Sequence, residues 1–175
     1  LGLTAASLAG DTEALEREYE FFRTEFPGDA SLAMFGLDYH FNRKEYADCL
    51  RCLETVEQTV GPDPYLHNVR ATVHLQSGTA DDLAQAVKWA EQAVAEDEKY
   101  TLAYWTRVDV ALAAKDYAIA RQWLERTLAK FDLIMDRADM ATNDVYQGFL
   151  KSPEAAKFFK WQDGRALKPP ADVDD

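Results

Sequence analysis

The chain has 175 residues, 47% apolar and 29% charged, with eight glycines, six prolines and a formal charge of −12. That length and apolar content suffice to bury a core and exclude a disordered chain except at its end. The negative charge repels nucleic-acid phosphates and anionic lipid headgroups, which leaves a neutral or basic protein as the expected partner.

Sparse glycine and proline, with long runs rich in Ala, Leu, Glu, Lys and Arg, point to an all-α chain. The opening LGLTAASLAG is apolar but lacks the positive segment of a signal peptide; it reads as the remaining half of a helical hairpin whose upstream residues are missing. A helix follows with Leu15, Tyr19 and Phe22 on one face and Pro27 at its end. Next comes LAMFGLDYHFN (32–42), a polar turn NRKE, and a helix carrying Tyr46, Cys49, Leu53 and Val56, stopped by Gly61. LHNVRATVHLQS (66–77), the turn GTADD and a helix with Ala86, Ala90 and Ala93 repeat the arrangement. TLAYWTRVDVALA (101–113), the turn AKD and a helix with Tyr117, Ala120, Leu124 and Thr127 repeat it again.

The repetition has a period. Leu15, Cys49, Ala86 and Ala120 are equivalent, at separations of 34, 37 and 34 residues, and the extra residues fall in the turn SGTADD, where an insertion costs little. Four residues beyond each, and three beyond that, lie further face positions, so Leu15, Leu53, Ala86, Ala90, Ala120 and Leu124 are expected to be buried between hairpins. A hairpin of about 34 residues is too small to bury its own apolar face, and stacking on neighbours must complete the core.

This pattern resembles the tetratricopeptide repeat (TPR) family, with its period of 34 and its A-x3-F…P second helix. The second helices match well, whereas the first helices depart from the family's W-x2-L-G-x2-Y pattern, holding Gly36-Leu37, Arg70-Ala71 and Arg107-Val108 at the Leu-Gly places. The resemblance covers about residues 1–134 and implies an α-α superhelix, a solenoid of stacked antiparallel hairpins. The expected units are 1–29, 30–63, 64–100 and 101–134, within a single domain over 1–161.

Beyond residue 134 the period fades. MDRADMATNDVYQGFL (135–150) is expected to form one more helix, with Ala138, Ala141, Val145 and Phe149 on its apolar side. Ser152 as N-cap and Pro153 at the first position should open PEAAKFFKW, whose Phe158, Phe159 and Trp161 suit a C-terminal capping helix, a partner-binding helix being the alternative. Residues 162–175 read as a flexible tail.

No P-loop, Gly-rich nucleotide motif, nucleophile elbow or H-E-x-x-H occurs, so no enzyme, cofactor or metal is expected. Cys49 and Cys52 form a C-x2-C inside a helix rather than at its N-terminus, which favours packed thiols over redox chemistry. His67 and His74 are seven residues apart on one helix and His40 lies on another hairpin, which argues against a zinc site.

The family's usual role implies binding of a peptide or partner helix in a concave groove lined by the first helices. Carried over residue by residue, the groove places hold Met34, Asp38 and Phe41, then Tyr65, Asn68 and Leu75, then Leu102, Trp105, Asp109 and Leu112. Co-chaperone members carry Lys with Asn or Arg there to clamp a C-terminal carboxylate; Met34, Asp38, Trp105 and Asp109 cannot do so. Some of these side chains could instead pack between neighbouring first helices. The favoured expectation is a non-catalytic, cytoplasmic scaffold that binds a segment with an apolar anchor and basic flanks. The alternatives are a structural or homodimerising spacer, and a regulatory appendage of an enzyme whose catalytic domain lies upstream of Leu1.

Overall fold

The structure, a computed structural model, describes residues 9–26 and 31–166. Among these residues there is no strand. The helices are α1 (Thr12–Glu25), α2 (Ser31–Asn42), α3 (Tyr46–Val60), α4 (Pro64–Ser77), α5 (Ala80–Glu96), α6 (Thr101–Ala113), α7 (Tyr117–Lys130), α8 (Arg137–Thr142), α9 (Gln147–Leu150) and α10 (Pro153–Ala166). The half-hairpin expected at the N-terminus and the stop at Pro27 lie outside the described residues.

Capping chemistry sets the starts. The Asp11 carboxylate accepts from the Ala14 N–H at 3.0 Å and Asp63 from the Leu66 N–H at 2.7 Å, with Pro64 at the first position of α4. Thr79 accepts from the Asp82 N–H while donating its own hydroxyl to that carboxylate at 2.6 Å, a reciprocal cap on α5. Each arrangement satisfies amide groups that a helix N-terminus otherwise leaves unpaired. Gly61 (φ 87°) and Gly78 (φ 73°) end α3 and α4 in a backbone region that side chains resist. The α2–α3 and α6–α7 turns use lysines there instead: Lys44 (φ 61°) and Lys115 (φ 57°). The next N–H closes each turn, from Glu45 to the His40 carbonyl and from Asp116 to the Ala111 carbonyl.

The chain divides into two compact units, residues 1–97 and 98–175, where the sequence suggested one domain. In the first, α1 to α5 each pack on the next. Leu15, Tyr19 and Tyr39 form one core, and Leu37, Cys49, Leu53, Val56, Leu66 and Val73 another. Ala86, Ala90 and Ala93 are wholly buried on α5, small enough for α4 to lie close. In the second unit α6 packs on α7 and α10 packs on α7. Val108, Ala120, Leu124, Leu128, Phe149 and Phe158 form their common core. All six positions expected to be buried are buried. Truncating Leu53 or Leu124 to Ala should cost about 2 to 5 kcal/mol.

Three expectations beyond residue 134 need correction. The helix expected over 135–150 breaks at Asn143, whose extended backbone (ψ 118°) ends α8 and whose side chain accepts from the Val145 N–H to start a 3-10 turn, Asp144–Tyr146. The break rotates the buried face: Met140, Tyr146 and Phe149 are inside, while Ala138, Ala141 and Val145 are exposed. Pro153 does open α10, but the Ser152 hydroxyl donates back to the Phe149 carbonyl at 2.7 Å instead of capping it. Finally, α10 runs to Ala166, past the boundary at 161. Gln162, buried, exchanges hydrogen bonds with both backbone groups of Met135, and Arg165 donates to the Leu133 carbonyl. Those contacts hold residues 162–166 in helical order.

Candidate partner-binding surfaces

The first unit holds six of the ten expected groove residues. On α2, Met34 is 40% exposed and lines an apolar notch of about 300 Å³ with Ser31, Val56, Thr59 and Val60. Asp38 is exposed, and Phe41 is half-buried with its ring edge-on to Tyr46 at 6.1 Å. On α4, Tyr65 is 51% exposed and Leu75 half-buried. Asn68 is buried at 3% exposure, and among the described residues its side-chain oxygen has no hydrogen-bond partner. It adds nothing to a free surface.

Beside Asn68 the outward-reading polar residues of α4 turn inward. The Arg70 guanidinium donates to Glu57 at 2.6 Å and lies 4.9 Å from the Trp89 ring centroid. His67 stacks on the same ring at 5.2 Å and donates through Nδ1 to Glu96 at 2.8 Å. His74 donates through Nδ1 to Asp82. Hydrogen bonds from Ser77, Thr79 and His74 hold the Asp82 carboxyl down at about 2. The two histidines are thus engaged with separate carboxylates.

A metal-like constellation does occur, at a place the sequence reading did not single out. One ligand atom each of His40, Glu45 and Asp48 lies within 4.8 Å of the others. The carboxylates already have cationic partners: Arg43 on Glu45 at 2.9 Å and Arg51 on Asp48. His40 Nδ1 donates to Glu45 at 2.7 Å. A network of this kind is complete as an ion-pair cluster. Cys49 is buried against the Leu37 carbonyl, and burial raises its thiol to about 11, the reverse of activation for redox chemistry.

The second unit holds the other four positions, all on α6. Leu102 is 54% exposed, Trp105 and Asp109 are half-buried, and Leu112 is buried at 6% within the core. Trp105 and Asp109 are one turn apart and share a face. Among the described residues Asp109 makes no hydrogen bond or ion pair, and burial pushes its carboxyl up to about 6. The Tyr146 phenol, brought against α6 by the 3-10 turn, is pushed up to about 12, first by burial and then by the Asp109 charge. Sequence reasoning did not single out Tyr146. It sits in a stretch read as one regular helix, and only the Asn143 break turns it inward.

No protein-family model matches this sequence, and no curated protein matches it. Among solved structures the chain is similar to the TPR domain of Sgt2 from Aspergillus fumigatus, with a TM-score of 0.54 and 21% identity over 85% of this chain and 89% of that one. At that identity the likeness is one of fold, and the fold is the TPR-like stack of helical hairpins. Among the described residues no helix is long and apolar enough to cross a membrane.

Proposed function

We propose that the chain is a non-catalytic protein-binding scaffold that takes an extended or helical segment of a partner, with an apolar anchor and basic flanks, on its first helices. The observation that carries this reading is the display of large apolar side chains at first-helix positions within each unit: Met34 and Tyr65, 40% and 51% exposed, in the first, and Leu102, 54% exposed with Trp105 half-buried beside it, in the second. Aromatic and large aliphatic groups held on rigid helices are the side chains that dominate binding energy at protein interfaces. A net charge of −12 favours basic partners through association rate more than through final affinity. The likeness in fold supports the same reading, because stacked hairpins generate long surfaces suited to peptides.

Panning a library of random twelve-residue peptides against the full chain tests it. Enriched peptides should carry an aromatic or aliphatic residue within a net positive segment, and Trp105→Ala should weaken them about thirtyfold or more. Enrichment of acidic peptides, or unchanged binding by Trp105→Ala, would overturn the reading.

A structural or dimerising role has one observation in its favour, the exposed aromatic side chains on α1 and just after it, Phe21 at 56% and Phe26 at 50%. It predicts a concentration-dependent dimer in sedimentation that Phe21→Ser with Phe26→Ser abolishes.

A further inference from the structure

The four tryptophans, Trp89, Trp105, Trp123 and Trp161, allow a comparison within one molecule. Trp89 has Arg70 and Lys88 over its ring, each at 4.9 Å from the centroid. Trp123 has Arg107 at 5.3 Å and Arg126 at 4.6 Å, and Trp161 has Arg165 at 5.3 Å. A cation over an indole face is thus the local rule. Trp105 departs from it: among the described residues no cation lies over its ring.

Asp109 departs from its own local rule in the same place. Other half-buried carboxylates of the second unit are paired, Glu154 with Arg121 at 2.7 Å and Glu125 with the same guanidinium at 2.7 Å. Asp109, on the same face as Trp105, makes no hydrogen bond or ion pair among the described residues, and the 3-10 turn that carries the Tyr146 phenol packs against its helix. A half-buried carboxylate without a donor is held at a cost in solvation. Trp105 and Asp109, both half-buried, therefore share one face of α6, with the buried Tyr146 phenol behind the carboxylate.

We propose that Trp105, Asp109 and Tyr146 form a receptor for a single cationic side chain, lysine or arginine, of a partner protein. The ammonium or guanidinium rests against the indole and pairs with the Asp109 carboxylate, which shares that charge with the Tyr146 hydroxyl. A cation–π contact and an ion pair reinforce each other at a desolvated site, because both strengthen as water leaves. Phosphate, carboxylate and purely aliphatic groups are repelled or left unpaired there. The proposal rests on the peptide-binding reading above and names one subsite of it.

The test uses peptides enriched by panning on the full chain. Each is titrated with its basic residues replaced one at a time by glutamine, against the parent chain and against Asp109→Asn. One basic residue should stand out, its replacement weakening binding by the parent chain about tenfold. The same replacement should have little effect on Asp109→Asn, so that the cycle of four affinities shows coupling. Tyr146→Phe should give a smaller loss at the same ligand position. Asp109→Asn retains its volume, and its thermal melt checks that it folds. If peptides bind but no basic position couples to Asp109, the cation receptor is wrong and the peptide-binding scaffold stands. If no peptide binds, both fall together.

Discussion

Two carboxylates show how the same side chain acts in opposite directions according to its surroundings. Asp82 sits on a half-exposed helix start with three donors aimed at it, and its folded-state pKa of about 2 lies below the ordinary 3.8. A depressed carboxyl contributes stability above the unfolded value and loses it as pH falls toward 2. Asp109 is the reverse. Its folded-state pKa of about 6 exceeds 3.8, so the folded chain holds the proton more tightly than the unfolded one, and stability from this group falls as pH rises from 4 to 6. Above pH 6 the ionised group remains a net cost. Asp109→Asn should therefore raise stability by about 1 to 3 kcal/mol at pH 7.5, and the gain over the parent should vanish near pH 3.5. Thermal melts of the two proteins at both values decide this; a variant less stable than the parent at pH 7.5 would show that Asp109 has a stabilising partner. A carboxylate that burdens the free fold in this way is consistent with the proposed role of Asp109 in pairing a partner's cation.

Gly36 is governed by space rather than charge. A Cβ added there would stand 2.8 Å from Cys52 Sγ and 3.0 Å from the Tyr19 hydroxyl. Three helices meet at that point, and Gly36→Ala should cost about 1 to 3 kcal/mol by overpacking. Chemical denaturation that left the midpoint unchanged would mean Cys52 and Tyr19 can retreat freely.

At the scale of helices and turns, what the sequence revealed was whatever depends on nearest neighbours. Second-helix faces were legible because Leu15, Cys49, Ala86 and Ala120 recur at a period and each is buried. Stops at Gly61 and starts at Tyr46 and Tyr117 followed from turn chemistry. First helices were harder, since α4 and α6 bury residues on nearly every side, including His67, Arg70 and Arg107, and show no clean polar face. For this reason Asn68 and Leu112 could be assigned to a groove although the fold encloses them. The Asn143 break was illegible in a different way: an asparagine inside an apolar run can ride in a helix or cap a new one, and only the packing of Tyr146 and Phe149 decides. The paired turns support one prediction. Lys44 and Lys115 occupy positive-φ positions that glycine fills without a Cβ clash. Lys115→Gly should stabilise the second unit by up to about 1 kcal/mol, read as a shifted denaturation midpoint, and a destabilised variant would indicate that the lysine side chain contributes more than its backbone strain costs.

For the whole molecule, the division into two compact units carries a testable consequence. The second unit has a core cluster of its own: α6 and α7 contribute Val108, Ala120 and Leu124, and the region after Asn143 contributes Tyr146, Phe149, Ala155 and Phe158. Polar ties run the same way, from Arg121 to Glu154 and from Gln162 to Met135. Among the described residues, none of this cluster comes from residues 1–97. A fragment spanning residues 98–175 should therefore fold alone, marginally, as small units do, with a helical circular-dichroism spectrum and a cooperative melt. Stopping the fragment after Gly148 should abolish that melt, because it strips Phe149, Ala155 and Phe158 from the core and leaves the apolar side of α7 uncovered. The pair of fragments separates two physical accounts of α10. If both are helical and melt alike, α10 is a dispensable appendage free to seek a partner; if only the longer one folds, α10 is the last layer of the stack, and its Phe158 belongs to the core as fully as Leu124 does.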